Sequence, residues 1–184
     1  MKKLISLLLA GLVCAGSLSA ETAVVYFSCT GNTRQLAKTA SKALDADLFE
    51  IIPEQAYTSA DLNWNDRQSR STKECNDPKA RPKIKAVKPA LGDGNFDVSR
   101  YDTIILAFPI WWYNAPKIIY TFAESFDLSG KKIVPLCTSG GSGLGSTGAD
   151  LAKASGKGDW RRGKRFYSNA GEAEIKAFVE ASLK

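Results

Sequence analysis

The stretch that most restricts what this chain can fold into is Val24-Val25-Tyr26-Phe27-Ser28-Cys29-Thr30-Gly31-Asn32-Thr33-Arg34. Val24 to Phe27 is a run of β-branched and aromatic residues, which reads as a buried strand. From Thr33 to Leu44, apolar residues recur at helical spacing (Leu36, Ala37, Ala40, Ala43 and Leu44), which reads as a helix. Between them lies a short loop of hydroxyl-bearing residues around one glycine. A strand feeding a polar loop and then a helix N-terminus makes an anion site. Its unpaired backbone N–H groups point outward, and the helix dipole favours negative charge. Ser28, Thr30 and Thr33 add hydroxyls, Asn32 adds an amide, and Gly31 lets the backbone come close to a ligand. The chemistry these residues fit is a phosphate monoester. The plainer alternative is that Ser28 to Thr33 turns the chain and caps the helix, since Ser, Thr and Asn are common caps.

Other phosphate chemistries fail on spacing. A nucleoside-triphosphate loop needs a Lys and a Ser or Thr after its second glycine, and no Lys follows Gly31. A dinucleotide fingerprint needs three spaced glycines, and this loop has one. In a cysteine phosphatase an arginine closes the cradle, and Arg34 comes one residue too early after Cys29 for that pattern. What remains is a loop that holds a phosphate without reacting with it.

Ser28-Cys29-Thr30-Gly31-Asn32-Thr33 resembles the phosphate loop of flavodoxins, which cradles the phosphate of FMN. Two later stretches resemble the same family: Pro109-Ile110-Trp111-Trp112 and Thr138-Ser139-Gly140-Gly141-Ser142-Gly143. Each follows a predicted strand, and the resemblance runs from Ala23 to the C-terminus. It implies that these three loops are the FMN-binding residues, with no catalytic residue and no metal ligand.

The 184 residues, 44% hydrophobic and 24% charged, suit one domain with a full core. Residues 1–20 stand apart as a secretory signal peptide: Lys2 and Lys3, an apolar run from Leu4 to Val13, then small residues to Ala20. A lipoprotein reading, with Cys14 as the new N-terminus, fits the preceding Gly11-Leu12-Val13 poorly. The mature domain is then 21–184, exported to a periplasm or secreted, with no stable membrane anchor. Cleavage removes two lysines and no acid from a chain of formal charge +6, leaving +4. The resembled family is typically acidic, so a basic surface points to an acidic redox partner or an anionic envelope. The charges are dispersed, which argues against nucleic acid. Cys29, Cys75 and Cys137 survive cleavage, an odd count that leaves no complete disulfide framework. Cys29 and Cys137 read as small packing residues and not as redox thiols, although a helix N-terminus beside Cys29 would act to lower its pKa. The chain has no histidine, which removes Ser-His-Asp and Cys-His catalysis.

Further along, Asp47 to Ile52 reads as a second strand stopped by Pro53. The segment from Glu54 to Ser99 reads as irregular, with a short helix within Ser59 to Cys75 capped by Ser59. Connections this long are usually functional or mobile. Trp64 within it reads either as an anchor for the loop, which is the preferred reading, or as a lid aromatic over a planar ligand. Tyr101 to Phe108, apolar almost throughout, reads as a third strand buried on both faces. Pro116 opens the next helix. Trp111 and Trp112 cannot both enter one core from a regular element, and an aromatic at a strand's carboxyl end offers a surface for a flavin to stack on. Trp111 is the preferred partner. Lys132 to Cys137 is the fourth strand, with Pro135 predicting a bulge. The glycines Gly140, Gly141, Gly143 and Gly145 allow backbone to line a planar ring, or else form a flexible connector. A short strand near Arg165 to Tyr167 precedes a helix capped by Ser168 or Asn169, which buries Ile175, Phe178, Val179 and Leu183.

Strands alternating with helices imply an α/β fold with a parallel sheet. The resemblance implies a flavodoxin-like three-layer sandwich of strand order 2-1-3-4-5, with helices on both faces and the cofactor at the switch point. It further implies an FMN-binding electron carrier. The alternative is an FMN-dependent oxidoreductase, of the NAD(P)H or quinone reductase type, with the 54–99 segment as its lid.

Overall fold

A computed structural model of the chain describes residues 21–184. The signal peptide expected over residues 1–20 lies outside the described residues. The chain runs β1 (Thr22–Tyr26), α1 (Asn32–Leu44), β2 (Asp47–Pro53), α2 (Arg70–Asn76) and β3 (Ile84–Pro89). There follow β4 (Thr103–Pro109), α3 (Lys117–Ser125), β5 (Lys132–Thr138) and α4 (Thr147–Ser155). Then come β6 (Asp159–Trp160), β7 (Lys164–Arg165) and α5 (Glu172–Leu183). The sheet order is β3-β2-β1-β4-β5-β6, and β7 also pairs with β5. All these pairs are parallel except β2 with β3. With β3 set aside, this is the expected 2-1-3-4-5 order of a three-layer α/β fold.

The period-two alternation of strand side chains divides the core in two. Val24 and Tyr26 of β1, Ile105 and Ala107 of β4, and Val134 and Leu136 of β5 pack with Leu36, Ala37 and Ala40 of α1 and with Ile175, Phe178 and Val179 of α5. The alternate residues Val25, Phe27, Ile104, Leu106, Phe108 and Ile133 pack with Ile118, Ile119 and Phe122 of α3 and Leu151 of α4. Each central strand therefore buries both faces, which is why its sequence is apolar without a polar side.

Four local expectations are corrected. The 54–99 segment is not wholly irregular, because β3 lies in it as an antiparallel edge strand. Its exposed Lys85 and Lys88 protect that edge, and Val87 turns inward. The short helix α2 is capped by Ser69, whose hydroxyl accepts from the Thr72 N–H at 3.4 Å, and not by Ser59. At α5 the cap position is Gly171, and neither Ser168 nor Asn169 caps it. Glu172 and Glu174 in its first turn complement the dipole instead. Finally, Pro135 leaves β5 continuous against β4 from Lys132 to Thr138. The irregularity falls on the neighbouring strand. Ile133 and Cys137 turn their carbonyls to Arg161 and Phe166, so Pro135, at the same parity, presents its missing N–H to that side. The last strand is accordingly split into β6 and β7.

Candidate functional site

Three loops leave the carboxyl ends of β1, β4 and β5 and meet above the sheet. In the first, the Ser28 hydroxyl accepts from the Gly31 N–H at 3.1 Å, which folds the loop onto itself. Gly31 sits at φ +91, a conformation that strains any side-chain-bearing residue, although a Cβ there would meet nothing within 4 Å. Backbone shape, not space, demands this glycine. Gly31 is also the N-cap of α1 and has no side chain to cap with. The capping explanation of the loop therefore does not hold: Ser28 is engaged ahead of the helix, and the helix opens towards the cavity uncapped. The hydroxyls of Thr33 and Thr138 are 2.7 Å apart and buried, tying the start of α1 to the end of β5.

The second loop is joined to the third by the Ile110 N–H, which donates to the Thr138 carbonyl at 2.8 Å. Trp111 and Asn114 exchange backbone hydrogen bonds of 2.8 and 2.9 Å around Trp112 and Tyr113. Those two residues take φ +46 and +62, the left-handed pair of a tight type I′ turn. Bulky residues reach this region at a cost of roughly 1–2 kcal/mol each. The Asn114 side chain holds the turn by accepting from the Ala115 N–H at 2.7 Å and the Tyr120 hydroxyl at 2.8 Å. Trp111 packs edge-on against Phe27 and Tyr57, at 5.9 and 5.4 Å between ring centroids. In the third loop the Ser139 hydroxyl donates to the Ser142 carbonyl, and Arg165 donates to the Ser139 carbonyl at 3.3 Å.

The long excursion after β2 supplies a further wall. The Tyr57 hydroxyl donates to Glu74 at 2.6 Å. Arg70 pairs with the same carboxylate at 2.6 Å and lies 3.9 Å over the Tyr57 ring. Burial, reinforced by the Glu74 carboxylate, pushes the Tyr57 hydroxyl well above its usual range, so it stays protonated as a donor.

These pieces enclose a cavity of about 590 Å³, within the usual range of roughly 300–1,000 Å³ for small-molecule and cofactor sites. Of the residues expected from the sequence, Ser28, Cys29, Thr30, Asn32, Thr33, Pro109, Ile110, Trp111, Trp112, Thr138, Ser139, Gly140 and Ser142 line it. Gly31, Gly141 and Gly143 do not. Leu62, Trp64, Ser71, Tyr113, Phe166, Tyr167 and Ser168 also line it. The sequence carried a signal for Tyr167 and Ser168, which follow a strand as the other loops do. Leu62 and Ser71 had none. Trp64 is no buried anchor, since it stands exposed at the mouth. The Ser71 hydroxyl is fully buried without a hydrogen-bond partner. Among the described residues, no Asp, Glu, Lys or Arg lines the cavity. Burial pushes the Cys29 thiol up to about 12, with Arg70 acting weakly the other way. The lowered pKa expected there is thus reversed, because burial dominates.

A polar helix start beside an aromatic-walled cleft, at the carboxyl ends of a doubly wound sheet, defines a ligand-binding α/β protein. Residues 21–182 match the flavodoxin family, and the chain belongs to it. Two solved structures, assigned as flavoproteins of Bacteroides eggerthii and Bacteroides uniformis, share 39% and 38% identity with it. Their TM-scores are 0.81 and 0.78, over 90% and 88% of this chain and 99% and 98% of theirs. A Lactobacillus acidophilus flavoprotein in complex with FMN aligns at 18% identity and a TM-score of 0.61, over 90% of this chain and all (100%) of that one. No curated protein matches the chain.

Proposed function

We propose that the chain binds FMN in this cavity and acts as an exported electron carrier. The observation that carries the reading is the uncapped start of α1, opening into the cavity beside the Thr33–Thr138 hydroxyl pair. The donor set fits FMN. Hydroxyls and backbone N–H groups suit a phosphate, and aromatic walls suit a flat ring. Ser28, Thr30, Asn32 and Thr33 would hold the phosphate. Pro109 to Trp112 and Thr138 to Ser142 would line the ring, with Gly31, Gly141 and Gly143 shaping the loops around them. Trp111, fixed by Phe27 and Tyr57, remains the preferred stacking residue. FMN supplies the electron chemistry when bound. The chain's own residues bind it, orient it and keep charged side chains away from it.

The relative from Lactobacillus acidophilus that binds FMN supports the cofactor assignment, and the signal-like residues 1–20 support export. The mature charge of +4 favours an acidic redox partner, by steering screened beyond about 8 Å. The test is the absorption spectrum of the purified mature protein after loading with FMN, with mass spectrometry of the molecule released on denaturation. A protein that stays colourless in excess FMN overturns the proposal. A second reading, an FMN-dependent reductase, is favoured by Leu62, Trp64 and Ser71, which bring the long excursion over the cavity as a lid. Steady-state oxidation of a nicotinamide with quinone by the loaded protein separates it from the carrier.

A further inference from the structure

Among the described residues, β3 is the outermost strand on its side of the sheet, so its outer edge has no strand beside it. The register with β2 sets Ala86 opposite Ile52 and Ile84 opposite Pro53, and it skips Lys85. The Val87 carbonyl is turned away from β2, because it accepts from the Phe96 N–H at 2.9 Å. In an antiparallel pair a residue's N–H and C=O point to the same side, so the Val87 N–H is turned outward too. An edge with outward N–H and C=O groups is a template for an extended peptide.

A groove of about 590 Å³ runs beside this edge, between β3 and α3. Ile84, Val87, Phe96 and Phe126 give it apolar surface, and Lys83 and Lys85 border it. It shares no lining residue with the cavity described above. Its walls are fixed to each other. The Pro82 carbonyl, just before β3, accepts from the Thr121 hydroxyl of α3 at 2.9 Å. Arg81 donates to both carboxylate oxygens of Glu124 at 2.7 Å. Phe96 packs on Phe126 with 5.4 Å between ring centroids. A strand edge facing a helix across a partly apolar groove supplies what strand addition uses: main-chain pairing for affinity and pockets for alternate side chains.

Charge selects which strand fits. Lys79, Arg81, Lys83, Lys85 and Lys88 follow one another with no acid between Asp77 and Asp93. Arg81 is committed to Glu124, and Lys83 reaches Glu54, the carboxylate on the groove, at 3.8 Å. Among the described residues, Lys79, Lys85 and Lys88 make no ion pair. Two copies of this chain joined through β3 would set lysines against lysines, which is destabilising. An apolar strand would desolvate ammonium groups without pairing them. Acidic side chains on the added strand meet them favourably.

We infer that the outer edge of β3 docks an extended acidic segment of a partner protein, as a further strand of the sheet. The inference concerns a face separate from the cavity and does not depend on the FMN reading.

The experiment is fluorescence anisotropy of a labelled peptide alternating glutamate and valine, titrated with the purified mature protein. The comparators are a lysine–valine peptide of the same length, an N-methylated copy of the acidic peptide that cannot pair as a strand, and phosphatidylglycerol vesicles. Saturable binding of the unmethylated acidic peptide, weakening as salt rises, is expected, with slower hydrogen exchange at the Val87 amide. Lys83→Glu/Lys85→Glu is expected to weaken that binding about tenfold or more. Lys153→Glu/Lys176→Glu makes the same charge change on α4 and α5 and is expected to weaken it less than about twofold. Equal losses in the two double variants, equal binding of the N-methylated copy, or unchanged exchange at Val87 would each reduce the effect to net charge and overturn the inference. Binding to the vesicles and not to the acidic peptide overturns it in favour of a membrane surface. A dimer by light scattering, with Val87 already protected before peptide is added, gives the edge to a second copy and overturns it as well.

Discussion

The hydroxyl contact between Thr33 and Thr138 permits a sharp test, because it connects stability to ligand recognition through two atoms. They are 2.7 Å apart and buried. Thr33→Val keeps the side chain's shape and leaves the Thr138 hydroxyl without its partner. An orphaned buried polar group costs about 1–3 kcal/mol, whereas replacing both partners by apolar groups of the same shape can be nearly neutral. The single variants should therefore each lose about 1–3 kcal/mol, and the double variant Thr33→Val/Thr138→Val should lose less than their sum. In a domain of this size, each kcal/mol lowers Tm by roughly 2–4 °C. Urea denaturation of the apo proteins gives the cycle. Strict additivity would show that the two hydroxyls are independent and that the contact does not hold α1 to β5. Binding adds a second arm. A hydrogen bond to a charged group contributes roughly 1.5–3 kcal/mol, so losing the Thr33 donor should weaken FMN by about ten- to a hundredfold. Riboflavin, which lacks the phosphate, should bind Thr33→Val and the parent protein alike. If riboflavin weakens as much as FMN, Thr33 faces the ring and not the phosphate.

Three further outcomes follow from other parts of the molecule. Tyr113 is exposed and held at φ +62, so Tyr113→Gly should stabilise the apo protein by about 1 kcal/mol; a lower Tm would mean that the tyrosine makes contacts outweighing its strain. A Cβ at Gly163 would lie 2.5 Å from the Pro135 carbonyl oxygen, whereas at Gly141 it would meet nothing within 4 Å. Gly163→Ala should thus cost about 1–3 kcal/mol in denaturant and Gly141→Ala almost none, which makes any loss of flavin affinity in Gly141→Ala a report on ligand approach. Burial pushes the Cys29, Cys75 and Cys137 thiols up from 9.0 to about 12. The folded state thus holds these protons more tightly than the unfolded one, so their contribution is whole below pH 9 and is lost as pH rises through about 12. The buried tyrosines Tyr26 and Tyr101 and the half-buried Tyr57 act in the same direction. Denaturation midpoints in reductant should be lower near pH 10 than at pH 8, and equal midpoints would count against this burial.

The parallel part of the sheet was legible because its physics is local and repeated. Ile104-Ile105-Leu106-Ala107-Phe108 has no polar side, and a strand buried on both faces cannot have one. β3 escaped detection for equally concrete reasons. It follows Pro82 and ends on Pro89, presents lysines to solvent, and pairs through a register shift at Ile52/Pro53 that breaks its alternation. An edge strand of this kind is held by its neighbour and not by its own pattern. Pro135 was recognised as an irregularity but assigned to its own strand. A proline without an N–H can leave one ladder intact and deprive the ladder on its other side, so its effect appears in residues 161–163, far along the sequence.

The cavity shows the same division between local and distant information. The phosphate loop declares itself in six consecutive residues, because a tight turn and a helix start each demand particular side chains nearby. The opposing wall carries no such mark, since Leu62, Trp64 and Ser71 meet the cavity only through the path of their backbone. That path follows from the topology. β1, β2 and β4 run parallel, so the chain leaves β2 at Pro53 on the same edge from which the loops at Ser28 and Pro109 depart. An excursion as long as the one from Glu54 to Lys83, leaving that edge beside the switch point, has nowhere to fold except over the cleft or away from the sheet. Tyr57 decides between them: its ring packs on Phe27 and Trp111, and its hydroxyl is held by Glu74 of α2. One aromatic anchored into the cleft from inside the excursion is enough to bring Trp64 and Ser71 with it, so the residue to seek in such a sequence is the half-buried tyrosine, not the exposed tryptophan.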